Sequence, residues 1–415
     1  MSTRQPLGRA LRNVIIANVS SSLGDGIAKV AAPLLAARLT DDPLLVSGVA
    51  AVAMLPWLIF SIPAGILLDR IDRRRAMTLA NGVRTLLAVL LLVLFATDGL
   101  TIWWLYGVVF AYGAFETVYD GALRAVLPSI AAKQDLPRAN SRVEAGEIVV
   151  ERFLSGPLTS ALFAISVVVP LGINVLTYAV AGVMAVFLPL AAAGRHHTHP
   201  TDEPRVAWYR QFTDGFRYLM GNPMLRKLWL ISVVIGLCFS AATATMVLYV
   251  LNQLGLPEAW YGAYILVGAV GSLGAASIAN RLKERFRAGP VMAVAQTLSL
   301  AALVLMGAVP VLGVVAFGYF LSAAGTTGWN ILVMSLRQAA IPGRLLGRVH
   351  GTWRTLLWGT MPLGSLLGGL LGRIDLRAPF LIAGGIATLV ALVSFRFLAG
   401  LPNPEELEDA DGETA

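Results

Sequence analysis

The residues of this chain best suited to chemistry are ionisable groups set inside long apolar runs. Asp25 and Lys29 stand four residues apart in the first run. A helix would carry them on one face with the acid toward the N-terminus, the better orientation for an ion pair. Glu116, Asp120 and Arg124 repeat that spacing in the fourth run, Arg84 lies in the third, and Glu144, Glu147 and Glu151 lie in the fifth beside Arg142 and Arg152. An ionisable group near a bilayer centre costs at least about 2.5–3.5 kcal/mol, so each needs a partner or a task. Desolvation raises a carboxylate's proton affinity and a nearby cation lowers it. A carboxylate that gains and loses its cation between two states therefore takes up and releases a proton. On that reasoning Asp25, Glu116, Asp120 and Glu151 are the proton-coupling candidates, with Lys29, Arg84, Arg124, Arg152 and Arg354 as charge partners. Arg124 is placed to reach Glu144 or Glu147. The alternative is static pairing of these six acids with Lys29, Arg84, Arg124, Arg142 and Arg152.

The apolar runs of the second half hold no carboxylate. They carry Arg354 and His350 in the eleventh run, and Trp329 and Asn330 in the tenth. Trp329, Asn330 and Arg354 are the substrate-cavity candidates. Arg354 either pairs with an acid of the first half or bonds carbonyls of its own half. The asymmetry puts coupling in residues 1–193 and a mostly apolar substrate wall in 224–399. Glycine runs such as Gly268, Gly271 and Gly274, or Gly364, Gly368 and Gly369, permit close helix packing.

The elements that must hold these residues follow from composition. The 415-residue chain is 57% hydrophobic and 13% charged, with mean hydropathy +0.72. Soluble domains carry about 25% charged residues. In lipid the backbone must satisfy its own hydrogen bonds, which leaves helices or closed barrels. Solid apolar stretches such as 86–95 lack the alternation of barrel strands. The expected fold is an all-α integral membrane protein, with spans at 12–38, 44–68, 76–97, 101–127, 142–166, 169–192, 224–251, 259–280, 289–308, 310–336, 345–371 and 377–399. These group into a first bundle (1–193), a central loop (194–223), a second bundle (224–399) and an acidic disordered tail (400–415). Trp208, Phe212, Phe216 and Leu219 give the central loop the pattern of an amphipathic helix.

Basic residues fix the expected orientation. Arg4, Arg9, Arg12, Arg70, Arg73, Arg74, Arg75, Lys133, Arg138 and the basic residues of loops 195–227, 281–287 and 344–348 fall on one side, while the other holds only Arg38, Arg373 and Arg377. Both termini are then cytoplasmic. The net charge of +8 belongs to this topology rather than to nucleic-acid binding. The first apolar run, holding Asp25 and Lys29, reads as an uncleaved span and not as a signal peptide. Cys238 in an apolar run is an inert buried thiol.

Gly65, Leu68, Asp69, Arg70, Arg73 and Arg74 follow the second span, and an echo at Asn280 and Arg281 follows the eighth. This resembles the major facilitator superfamily, whose hallmark loop has that pattern, although Asp72 stands where the family usually has glycine. Gly24, Asp25 and Gly26, Arg124 with Leu127 and Pro128, and residues 136–141 resemble the branch of enterobactin exporters and macrolide-efflux proteins. The resemblance implies twelve helices in two pseudo-symmetric six-helix bundles and alternating access. It also implies a gating role for Gly65, Asp69, Arg70, Arg73 and Arg74.

The expected function is proton-coupled efflux of an amphipathic small molecule such as an antibiotic, siderophore or secondary metabolite. The expected setting is the bacterial cytoplasmic membrane, as a monomer partnered by substrate, protons and lipid. Uptake or facilitated diffusion of a sugar or organic acid is one alternative; a non-transporting sensor or scaffold is another. No phosphate-binding glycine loop, paired-cysteine site or nucleophile elbow occurs, so no enzyme chemistry or cofactor is expected. His196, His197 and His199 in the central loop are expected to be incidental and to hold no metal.

Overall fold

The computed structural model describes residues 9–68, 71–130, 135–189 and 208–407. Asp69, Arg70, Lys133 and the histidine cluster 196–199 lie outside the described residues. Every described element is helical. The first half contains α1 (Arg9–Leu39), α2 (Pro43–Leu68), α3 (Arg73–Ala96), α4 (Ile102–Ile130), α5 (Leu136–Glu147), α6 (Ser155–Ile165) and α7 (Val168–Val186). After α8 (Trp208–Gly221) come α9 (Pro223–Thr243), α10 (Met246–Leu248), α11 (Glu258–Phe286), α12 (Ala288–Ala308), α13 (Leu312–Ala340), α14 (Gly343–Gly372) and α15 (Gly384–Ala399). Three π-helical stretches, Ile148–Leu154, Tyr249–Gln253 and Pro379–Ala383, interrupt otherwise continuous runs.

Among the described residues nine helical runs are long and apolar enough to cross a membrane. Helices α1, α4 and α13, of 31, 29 and 29 residues, have the length but not the apolarity. The first two carry the acids and cations identified above, which is the physical reason their hydropathy falls short. Large side chains such as Leu86, Ile165 and Val393 are 69–78% exposed, the inverse of a water-soluble surface and what a lipid-facing one requires.

The chain forms two compact units. One comprises Met1–Thr40, Val52–Asp202 and Pro257–Ala263; the other comprises Asp41–Ala51, Glu203–Leu256 and Tyr264–Ala415. The core of the first includes Met77, Tyr119, Val126 and Ala139. The core of the second includes Leu225, Met292, Leu336 and Trp353.

Local chemistry explains several helix ends. Asp72 caps α3, its carboxylate accepting from the amides of Arg74 at 2.9 Å and Arg75 at 3.3 Å. A side-chain acceptor at a helix start satisfies otherwise orphaned donors, so Asp72 has a task that glycine could not perform. Asn222 does the same for α9, accepting from Met224 and Leu225. The central segment forms α8, whose buried face runs through Gly215 and Leu219 while Phe216 stays exposed. Gly215 lies against the Arg348 carbonyl and Thr352 of α14, and Asp214 pairs with Arg348 at 3.1 Å.

The glycine runs divide by environment. A side chain at Gly368 would strike the Ala241 carbonyl, and one at Gly364 the Leu237 carbonyl, so α14 lies backbone-to-backbone on α9. A side chain at Gly274 would meet nothing within 4 Å. Gly368→Val is therefore expected to abolish the monodisperse folded population in detergent, because a carbonyl cannot yield as a flexible side chain does. Gly274→Ala should retain it and gain about 0.5–1 kcal/mol from helix propensity. Size-exclusion chromatography with thermal unfolding followed by tryptophan fluorescence distinguishes the two outcomes.

Candidate functional site

Helix α1 presents ionisable groups to its neighbours on two successive turns. The first, Asp25, is 9% exposed and does not pair with Lys29, the partner its spacing suggested. It pairs instead with Arg84 of α3, which is fully buried. The Tyr178 hydroxyl of α7 donates to Asp25 Oδ1 at 2.9 Å, and the Arg84 guanidinium lies over the Tyr178 ring at 4.4 Å. Arg84 Nη1 also donates to Ser21 at 3.0 Å and to Asn81 at 3.2 Å. Asn174 donates to the Gly24 carbonyl at 2.7 Å and accepts from Tyr112 at 3.0 Å. Five donors on one planar head give Arg84 the reach to join three helices. The flanking glycines make this possible. A side chain at Gly24 would overlap the Tyr178 ring, and one at Gly26 would overlap Ser155.

One turn on, Lys29 reaches two carboxylates at once. Its Nζ lies 3.1 Å from Glu116 Oε1 of α4 and 2.6 Å from Glu151 Oε1. Glu151 sits in the π-helical stretch Ile148–Leu154, a widened turn of the kind that recurs at functional sites. The Lys29 side chain is 52% exposed, against 15% for Glu116 and 23% for Glu151. The cluster thus opens to solvent where the Asp25–Arg84 pair is sealed. Formally it holds one positive and two negative charges.

The other candidates are distributed around these two groups. Asp120 is half-buried one turn beyond Glu116, while Arg124 and Arg152 are exposed. Among the described residues no ion pair within 4.0 Å involves Asp120, Glu144 or Glu147, nor joins Arg124 to either glutamate. Static pairing thus accounts for Asp25, Glu116 and Glu151 only. After α2, Arg73 donates to the Ala125 carbonyl near the end of α4 and Arg74 to the Leu188 carbonyl beyond α7, both at 3.0 Å. Cations at helix C-termini complement the exposed carbonyls and the macrodipole. Gly65 is exposed, with open space where a side chain would stand.

In the second half, Asn330 is exposed but Trp329 is packed beside Leu332, Val333 and Trp353, so it forms core rather than a cavity wall. Arg354 is exposed and stacks on Trp358 at 4.2 Å. Arg337 was not among the candidates. It lies one position past the expected span 310–336, yet it is only 6% exposed. It bonds His350 Nδ1 at 2.8 Å and covers the Trp353 ring at 4.1 Å.

The three arginines on the sparse side of the charge pattern are all engaged. Arg38 pairs with Glu258, Arg373 pairs with Asp42, and Arg377 donates to the Gly307 and Ala308 carbonyls. The Arg373 guanidinium and the Leu44 amide hold the Asp42 carboxyl below the usual carboxylate range. Among the described residues no group of three or more His, Cys, Asp or Glu is placed to hold a metal ion.

The family described as transmembrane secretion effector, of the major facilitator type, matches residues 1–413. The chain belongs to this family. It is 26% identical over 413 residues to the enterobactin exporter EntS of Citrobacter koseri, covering 94% of this chain and 92% of that protein. The EntS protein of Shigella dysenteriae serotype 1 is 25% identical over 418 residues, covering 95% and 94%. Among solved structures, an inward-facing bacterial homologue of the iron transporter ferroportin superposes with TM-score 0.74 at 16% identity, covering 96% of this chain and all of that one. The nucleoside transporter NupG gives TM-score 0.72 at 12% identity, covering 95% and 100%. At such identities these structures speak to the fold alone. As a member of the family the chain is a multi-pass membrane transporter and not an enzyme.

Removing one member of a buried ion pair leaves the other charge stranded, at a cost of about 3–5 kcal/mol. Arg84→Met is therefore expected to lower the melting temperature sharply by stranding Asp25. Adding Asp25→Leu should recover most of the loss, as a double-mutant cycle read by thermal unfolding in detergent will register. Equal melting temperatures for Arg84→Met and the double variant would contradict the coupling.

Proposed function

We propose that this transporter is a proton-coupled exporter of amphipathic small molecules, of the siderophore or secondary-metabolite kind, working by alternating access across twelve spans with both termini cytoplasmic. The observation that carries the reading is Lys29 held between Glu116 and Glu151. One ammonium serving two carboxylates is readily redistributed. When a proton binds either glutamate, Lys29 retains the other, and the charge of the cluster changes without exposing a bare ion to lipid. The sealed Asp25–Arg84 pair then acts as the fixed pivot of the same helix, and Asp120 is a second proton acceptor within the array. The second half, whose expected apolar runs hold no carboxylate, supplies the substrate wall. Export rather than uptake is supported by the enterobactin exporters among the relatives.

The test is transport in proteoliposomes under an imposed pH gradient, with dyes, macrolides and catecholate siderophores as cargo. Glu116→Gln and Glu151→Gln are each expected to reduce gradient-driven transport at least tenfold while leaving gradient-independent exchange of bound cargo. Transport that persists unchanged after the gradient is collapsed removes the antiport reading.

A further inference from the structure

Helix α12 is built inside out. Gln296 and Ser299 are buried, and Ser299 bonds the Ser322 carbonyl at 2.8 Å and the Thr326 hydroxyl at 2.9 Å on α13. Val294, Leu298 and Leu305 are exposed. A surface helix in water has the reverse arrangement, so this face of α12 is turned to lipid. Beside it, between α11, α12 and α13, lies a groove of about 420 Å³ in which every lining residue is apolar. Ala279, Ala295, Gly325 and Gly328 contribute little side-chain volume to it. Gly325 packs on the Ala295 carbonyl, which holds α13 close to α12 beneath the open space.

The lining runs from Ala275 to Phe286 on α11 and from Pro290 to Leu298 on α12. At 1.5 Å per residue these stretches are about 16 Å and about 12 Å long. One leaflet, half of a hydrocarbon core about 30 Å thick, has that depth. The end of the groove at Phe286 and Pro290 is basic, because Arg281, Lys283, Arg285 and Arg287 surround the α11–α12 turn. Glu405 and Glu406 pair with Lys283 and Arg287. Among the described residues neither Arg281 nor Arg285 forms an ion pair. Both are exposed and lie four residues apart, on one helix face. The Arg285 guanidinium lies over the ring of Phe286, itself part of the lining, at 5.4 Å. Glu284, the acid between them, stands nine positions from Ala275, which at 3.6 residues per turn puts it on the far side of α11.

We propose that this groove binds one anionic phospholipid, with an acyl chain laid along α11, α12 and α13 and the phosphate at Arg281 and Arg285. The surrounding lipid is as apolar as the groove, so the chain is held by fit and the preference comes from the headgroup. Two guanidinium groups favour a phosphate that carries no cation of its own over a zwitterionic headgroup. A transported amphipathic molecule is a poorer match, because the groove offers no polar side chain along its length to orient one.

The experiment places the full chain in phosphatidylcholine nanodiscs containing a trace of phosphatidylglycerol or phosphatidylcholine that bears a diazirine on one acyl chain. After irradiation, labelled peptides are mapped by mass spectrometry. Label is expected to concentrate on peptides of α11, α12 and α13, at least tenfold more from the phosphatidylglycerol probe than from the phosphatidylcholine probe. Glycerol 3-phosphate, which has the phosphate and no chain, should leave the labelling unchanged. Ala275→Leu, at a half-buried position in the lining, should reduce labelling of these peptides by both probes at least fivefold. Arg281→Gln with Arg285→Gln, both at exposed positions, should keep the melting temperature and bring the phosphatidylglycerol probe down to the level of the other. Label spread evenly over the spans, equal labelling by the two probes in the unaltered chain, or no effect of the paired arginine substitutions would each overturn the site. Displacement by glycerol 3-phosphate would overturn it in favour of a free-phosphate site, and displacement by a hydrophobic dye in favour of a cargo site. Crosslinked pairs of chains in place of lipid adducts would overturn it in favour of a dimer interface.

Discussion

The first-half unit is organised around one buried cation. Arg84 has no route to solvent, so its charge and its hydrogen bonds have to be met by protein. Helices α1 and α7 supply that environment through Asp25, Ser21 and Tyr178. Those requirements propagate outward. Tyr178 can lie across α1 only because residue 24 is glycine. With Asp25 committed to Arg84, Lys29 on the next turn is left to Glu116 and Glu151. The sealed pair therefore leaves the exposed lysine to the acids of α4 and of the π-helical stretch.

Much of the frame was legible from hydropathy, since each segment expected as a span overlaps a described helix and nine helical runs among the described residues are long and apolar enough to cross a membrane. The ionisable candidates were legible for the same reason, because charge inside an apolar run is conspicuous. Their pairing was not. Spacing of four residues predicts an Asp25–Lys29 contact in an isolated helix, but a partner on another helix prevails when it offers deeper burial and more hydrogen bonds. The π-helical stretch around Glu151 was equally hidden. A single added residue per turn leaves no period in the sequence, and only the demand that Glu151 reach Lys29 marks it. Asp72 was visible as a departure from the family's glycine; the cap it provides to α3 emerged only with its amide partners. Arg337 lies one residue past an expected span boundary, so no apolar run marked it as a buried cation.

The two units solve the problem of intramembrane charge in opposite ways. The first places acids and cations together, so its charges are compensated locally and become available for redistribution. The second carries no carboxylate on α12, α13 or α14 and stacks Arg337 and Arg354 on indole rings, at Trp353 and Trp358. Stacking on an aromatic face stabilises a guanidinium by about 0.5–2 kcal/mol. That is enough to make its burial tolerable and too little to saturate its hydrogen-bonding capacity.

Export of an anionic cargo under the proton-coupled reading would have an energetic consequence. Export of a monoanion moves one negative charge outward, and the return of one proton moves one positive charge inward. Both displacements run with an inside-negative membrane potential. At about 2.3 kcal/mol per charge per 100 mV, the two contribute about 4.6 kcal/mol per cycle before any pH difference is counted. A neutral cargo exchanged for the same proton would draw only half of that.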